Sequence, residues 1–255
     1  MLLAIDIGNT NVTIGMFKDD ELRATWRIAS GVHRMPDEYA VILISLLRQQ
    51  GLDTKDVTKV ALCCVVPPLT AVFEEVCKRY FSVEPLVIRA GVKTGVRIRL
   101  DNPAEVGADR IADAAAAHHL YGGPVIVVDM GTSINFDTVS KEGDYLGGAI
   151  APGLSLAAES LFARTAMLPR VGLARPKNAI GTNTIAAMQS GLIFGYAGLI
   201  ESIIGRIEQE LGEKATVVAT GGYAELMAGE TKLIDDISPN LTLIGLRLIY
   251  MMNRT

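Results

Sequence analysis

The sequence predicts an α/β fold built twice over, and three observations carry that prediction. Apolar, strand-like runs precede helix-like runs along the whole chain, which is the layout of an α/β protein. When Leu2 to Leu22 is laid over Val125 to Tyr145 without gaps, Asp6 falls on Asp129 and Gly8 on Gly131. Each copy then reads as an apolar strand, an acidic-glycine turn, a second strand and a polar hairpin. The division is expected near Tyr121-Gly122-Gly123, giving halves 1–121 and 122–255.

The elements follow in order. Past the first hairpin, Glu21 to Ile28 reads as a third strand, and Pro36 to Gln50 as a helix with Pro36 in its first turn and Gly51 at its end. Lys59 to Val66 is a strand that Pro67-Pro68 is expected to stop, followed by a helix near Leu69 to Tyr80 and a strand at Pro85 to Ile88. Asn102 caps a helix expected from about Pro103 to Leu120, with Glu105 three residues after the cap. The second half repeats the theme with strands around Val125 to Asp129, Asn135 to Val139 and Tyr145 to Ala149. Helical patterns follow near Leu154 to Arg164 and Thr184 to Leu211, then a strand at Ala215 to Thr220 and a closing helix over Asn240 to Asn253. The second strands disagree in phase: Val12, Ile14 and Met16 alternate in one copy and Ile134 and Phe136 in the other, a shift of one residue. Gly191, Gly195 and Gly198 line one face of the long helix and suit equally a packed core or a subunit seam.

Bulk properties exclude several classes. With 49% hydrophobic and 20% charged residues the chain is a compact globular protein without a disordered tail. A formal net charge of −4 supplies no broad positive field, so nucleic acid is not an expected partner and an anionic ligand must be held by local donors. Cys63, Cys64 and Cys77 lack metal-knuckle or redox-pair spacing and read as small buried apolar residues of a reducing compartment. Neighbouring His118 and His119 diverge by about 100° on a helix and cannot converge on one metal. Asp6 interrupts the first apolar run, which therefore does not read as a signal peptide. Ile185 to Ile200 carries Gln189 and Ser190 and is short for a membrane span, so a cytoplasmic protein with no membrane partner is expected.

Neither a Walker loop nor a GxGxxG turn occurs, so phosphate binding has to come from other turns. Asp6-Ile7-Gly8-Asn9-Thr10-Asn11 ends a buried strand. Gly8 permits close approach there, while successive N–H groups with the Asn9 and Thr10 side chains can face a phosphate. Asp6 is placed to hold magnesium, directly or through water. The same residues also suit an ordinary hairpin. Recurrence as Asp129-Met130-Gly131-Thr132 favours the functional reading, because paired acidic-glycine turns facing one cleft can grip a polyphosphate and its metal from both sides. Gly221-Gly222 is a third glycine turn, against which adenine and ribose could lie flat. Gly107-Ala108-Asp109-Arg110 can form a substrate site, with Asp109 taking a hydroxyl proton and Arg110 holding an oxygen-rich group. By spacing alone, solvated charges at a helix start remain the simpler account of Asp109 and Arg110.

These segments, in this order, resemble type III pantothenate kinases over nearly the whole chain. The matching segments are DIGNTN at Asp6, DNPAEVGADR from Asp101, VVDMGT at Val127, GGAIAPG at Gly147, LPR at Leu168 and NTIAAMQSG at Asn183. The resemblance implies a duplicated RNase H-like fold of the actin-like ATPase and acetate and sugar kinase class, with two similar halves flanking a nucleotide cleft. It also implies a homodimer and ATP-dependent phosphorylation of pantothenate in coenzyme A synthesis. By the same resemblance ATP would lie on Asp6, Ile7, Gly8, Asn9, Thr10, Asn11, Val12, Thr13 and Thr132. Asp129 would bind a monovalent cation, K+ or NH4+, beside the Mg2+ that accompanies ATP. Gly107, Ala108, Asp109, Arg110 and Thr184 would hold pantothenate, with Asp109 as proton acceptor. Two departures stand out. Leu100 replaces a tyrosine expected before the x-Asn-Pro segment, and Gly131-Thr132-Ser133-Ile134-Asn135 replaces Gly-Thr-Ala-Thr-Thr. A transcription-accessory protein or another phosphotransferase of the same fold are the rival readings.

Overall fold

A computed structural model describes residues 1–253, which form two compact units. Among the described residues, the first unit comprises 1–96, 102–116 and 241–253; the second comprises 97–101 and 117–240.

In the first unit β1 (Leu2–Ile7), β2 (Asn11–Lys18), β3 (Glu21–Ala29), β4 (Lys59–Cys64) and β5 (Leu86–Val87) form one sheet in the order β3-β2-β1-β4-β5. β1 pairs antiparallel with β2 and parallel with β4. Being central, β1 is buried on both faces, which is why it reads as a continuous apolar run rather than an alternating one. Leu3, Ile5 and Ile7 pack with Val12, Ile14 and Met16 against α1 (Pro36–Gln49) and α2 (Pro67–Phe81), through Tyr39, Leu43, Phe73 and Cys77. Leu2 and Ala4 on the other face pack with Ala61 and Cys63 against α3 (Ala108–Tyr121) and α7 (Leu241–Met252). The helix pair α3 and α7 meets backbone to backbone at Gly245, where a Cβ would stand 1.9 Å from the Ala112 carbonyl oxygen.

The second unit holds β6 (Arg97–Ile98), β7 (Val125–Met130), β8 (Ser133–Val139), β9 (Asp144–Pro152), β10 (Thr216–Thr220) and β11 (Asp236–Ile237), ordered β11-β10-β7-β8-β9-β6. Apart from the added edge strand β6, this is the order and pairing sense of the first sheet. One face is covered by α4 (Leu154–Arg164), α5 (Thr184–Leu211) and α6 (Ala224–Ala228), through Leu154, Ile193, Ile200 and Met227. α5 is long and apolar enough to cross a membrane by length and composition, and its Leu192, Ile193, Ala197, Ile200 and Ile204 are buried in the protein.

Register accounts for the one-residue phase shift between the copies. Four residues, 8–11, separate the paired Ile7 and Val12, whereas only three, 131–133, separate the paired Met130 and Ile134. The following hairpin restores the phase, with four residues between Phe17 and Leu22 and five between Val139 and Tyr145. Both copies carry a register irregularity at the same point, between Met16 and Phe17 and between Thr138 and Val139. The overlay is therefore right for the first and third strands and one residue out in the second.

Two local expectations change. Pro67 and Pro68 do not merely stop β4; they open α2 at its first positions, where the missing N–H costs nothing. The helix expected from Pro103 to Leu120 is two pieces, a 3-10 turn over Pro103–Glu105 capped by Asn102, then α3 after a break at Val106-Gly107. The compact units also differ from contiguous halves 1–121 and 122–255, because apolar Leu243, Leu246 and Ile249 of the last helix are buried on the first sheet.

Candidate functional site

Asp6 sits at the end of β1, one residue before a turn that is held from several sides. Gly8 N–H donates to the Asn11 carbonyl at 3.0 Å, and a Cβ at Gly8 would crowd that oxygen at 3.2 Å. Ser30, just past β3, donates its hydroxyl to the Gly8 carbonyl at 2.6 Å and its N–H to the Thr10 carbonyl at 3.0 Å. Ser30 is followed by a Gly31 whose N–H donates to the hydroxyl of fully buried Tyr39 at 2.9 Å. Asn9, Thr10 and Asn11 are exposed, so the turn presents its polar side chains outward from a rigid base.

The strand pairing sets Asp6 directly beside Cys63 on β4, and the Cys63 thiol donates to Asp6 Oδ1 at 3.2 Å. Burial pushes the Asp6 carboxyl up to about 7; the negative charge of Asp109 adds to the rise, while the thiol hydrogen bond and Arg27 oppose it. Asp109 thus belongs to the same cluster. It stands in the first turn of α3, its Oδ1 accepting from the Arg110 N–H at 2.8 Å. Burial raises its carboxyl as well, against the opposing Arg110 N–H and guanidinium. Gly107 leaves room for this carboxylate: a Cβ on it would lie 2.4 Å from Asp109 Oδ1 and would displace it. Two raised carboxyls that interact, beside a glycine turn, mark this end of β1 as a candidate functional site.

In the second unit Asp129 ends β7 as Asp6 ends β1, and stands opposite Asn135 of β8. Gly131 N–H donates to the Ser133 carbonyl at 2.9 Å, and Ser133 Oγ donates to Asn135 Oδ1 at 3.2 Å. The Ser133 and Asn135 departures therefore supply a polar pair beside Asp129. Gly221 adopts φ +89°, and a Cβ on it would fall 2.5 Å from Asp129 Oδ1 and 2.7 Å from the Met130 N. Only glycine lets that third turn lie against the acidic one. A Cβ at Gly153 would likewise strike the Thr132 carbonyl at 2.3 Å, and its N–H donates to that oxygen. Thr132 is exposed, and Thr184 is exposed in the first turn of α5 after its Asn183 cap.

Sequence reasoning missed four residues around these turns. Cys63 reads as apolar, and only the β1 and β4 register reveals it as a donor. Buried Asp113 lies one turn beyond Asp109 on α3, and that spacing was the available signal. Ser30 and Tyr39 brace the first turn from outside any motif. Among the described residues no cluster of three metal-ligating side chains exists. The donor set suits magnesium nonetheless, because this cation is typically bound through one or two carboxylates plus substrate phosphates. An adjacent cation would favour the charged form of the raised Asp6 carboxyl.

The family model for type III pantothenate kinase matches residues 2–206. A type III pantothenate kinase of Dehalococcoides mccartyi (strain CBDB1) is 53% identical over 253 residues, covering 99% of this chain and 96% of that protein. A crystal structure of a Campylobacter jejuni protein described as a Baf family transcriptional activator aligns with TM-score 0.63 at 20% identity, over 98% of both chains. The inorganic polyphosphate/ATP-glucomannokinase of Arthrobacter sp. strain KM aligns with TM-score 0.53 at 14% identity, over 99% of both. At such identities the two structures speak to fold alone, the duplicated RNase H-like fold of actin-like ATPases and sugar kinases. The relative at 53% identity and the matching family model say more: the chain belongs to the type III pantothenate kinase family.

Proposed function

We propose that this protein transfers the γ-phosphoryl group of ATP to the primary hydroxyl of pantothenate, giving 4'-phosphopantothenate for coenzyme A synthesis. The observation that carries the reading is the Asp6 and Asp109 pair, two half-buried carboxyls at the end of β1 and the start of α3, both raised by desolvation and near enough that the charge of Asp109 adds to the rise at Asp6, in a member of this family. Asp6 to Thr13 and Thr132 are assigned to ATP, Gly107 to Arg110 and Thr184 to pantothenate. Bound magnesium would neutralise charge on the phosphates, and Asp129 is assigned to K+ or NH4+. Asp109 orients the hydroxyl and takes its proton late, as the loose transition state of phosphoryl transfer allows. Arg110 is suited to the pantothenate carboxylate or hydroxyls. ADP release that depends on pantothenate and magnesium, and rises with potassium or ammonium, is the expected result. Equal release with and without pantothenate rejects the proposal.

Leu100 modulates substrate affinity in this reading. Its Cδ2 lies 2.9 Å from where a Cβ on Gly147 would be, so a side chain at position 100 packs on that glycine. Leu100→Tyr is expected to lower the pantothenate Michaelis constant a few-fold, the effect of one net hydrogen bond of about 0.5–1.5 kcal/mol, and to leave that for ATP unchanged. An unchanged or higher pantothenate constant with intact circular dichroism would mean instead a repacked apolar wall.

A cytoplasmic homodimer completes the proposal. The three free cysteines suit a reducing compartment. Gly191, Gly195 and Gly198 are exposed along α5, and a Cβ on any of them meets nothing within 4 Å. That uncovered small-residue stripe fits close approach by a second copy. Gly195→Leu should therefore fold normally yet run as a monomer in light scattering, where the parent runs as a dimer. A monomeric parent at micromolar concentration ends this part of the reading.

A further inference from the structure

We propose that Cys63 is a positioning residue for phosphoryl transfer, its thiol fixing the orientation of the Asp6 carboxylate toward the magnesium of Mg·ATP. The inference rests on the reading of Asp6 as the magnesium-side carboxylate. Parallel pairing places Asp6 and Cys63 as direct neighbours on β1 and β4, so their side chains share one face of the sheet without any loop between them. The Cys63 Sγ to Asp6 Oδ1 distance is 3.2 Å, and Cys63 is fully buried, which removes it from oxidation or modification chemistry. It belongs to a hydrophobic cluster with Ala4, Ala61, Ala112, Ala115 and Leu246, whose side chains have no hydrogen to donate. Among the described residues the thiol is the only hydrogen-bond donor to the Asp6 carboxylate.

The choice of sulfur has a chemical sense. A thiol is a weak donor, so it can fix the rotation of the carboxylate while withdrawing little of the charge that a cation would use. The thiol engages Oδ1 of Asp6. Cys64, the next residue, is not equivalent: its Sγ bonds the Val66 carbonyl at 3.1 Å and belongs to the entry into α2.

The test compares Cys63→Ala, Cys63→Ser, Cys64→Ala and Asp6→Asn. Two quantities are read: the magnesium concentration giving half-maximal ADP release, and the calorimetric affinity for magnesium with a non-hydrolysable ATP analogue. Losing the donor in Cys63→Ala should raise the magnesium requirement and weaken analogue binding by about three- to tenfold each, the range of an ordinary hydrogen bond and not that of a strong charge-assisted one, because a thiol is a weak donor. The pantothenate Michaelis constant should not move. Cys63→Ser, which keeps a donor, should return both quantities to near the parent, and Cys64→Ala should match the parent. If Cys63→Ala does not fold, Cys63→Val fills the space without a donor and takes its place. Parent-like magnesium dependence without the donor overturns the inference, as does serine no better than alanine. Parent-like behaviour of Asp6→Asn, by contrast, overturns the reading of Asp6 itself.

Discussion

Asp109→Asn is expected to lose about 10²- to 10⁴-fold in turnover, the usual worth of a general base, while ATP binding stays close to the parent. The amide preserves what the structure needs at this point, since its oxygen can still accept from the Arg110 N–H that now bonds Asp109 Oδ1 at 2.8 Å. It cannot take a proton. The substitution also removes a negative charge that raises the Asp6 carboxyl, so the acid limb of the pH dependence of kcat/KM should move to lower pH in whatever activity remains. Turnover within a few-fold of the parent would return Asp109 to the simpler account, a charge at a helix start. Because two carboxyls interact, the parent's acid limb reports the pair and not one residue.

How far the sequence reveals this cluster depends on which contacts are local. The two acidic-glycine turns were legible because each is a strand end, a glycine and polar residues within six positions, repeated half a chain apart. That repeat implied two like halves, whereas the strand order within each sheet is seen only in the structure. Cys63 beside Asp6 was not legible, because that contact is set by the register of two strands separated by a hairpin and a helix. The break before α3 was missed for a related reason: Asn102, Pro103 and Glu105 do form a capped turn, but only a 3-10 one. The carbonyl of Gly107 then starts the true helix by accepting from the Ile111 N–H at 3.1 Å. Leu241 to Met252 reads as a helix from its own pattern, whereas the sheet that its apolar face covers is a tertiary fact.

Asp6→Asn should separate function from stability, since the two are expected to move in opposite directions. A carboxyl raised from 3.8 to about 7 in the folded state binds its proton more tightly there than in the unfolded chain. Without ligand, Asp6 therefore costs nothing below about pH 4, and its cost grows as pH rises toward 7 and is complete above it. A shift of about three pKa units corresponds to at most about 4 kcal/mol. The asparagine carries no charge and its oxygen can still accept from the Cys63 thiol. The apo variant should then melt above the parent at pH 8, by several degrees if even half of that cost is recovered, and the difference should vanish near pH 4. Activity should go the other way, falling by about 10²-fold or more with the loss of an electrostatic partner for the phosphates and their cation. Saturating Mg·ATP should reverse the order of melting temperatures, because the ligand stabilises only the chain that binds it well. An apo variant less stable than the parent at pH 8 would show that Asp6 is held by favourable contacts, and would remove the argument that its burial is a cost sustained for binding a cation.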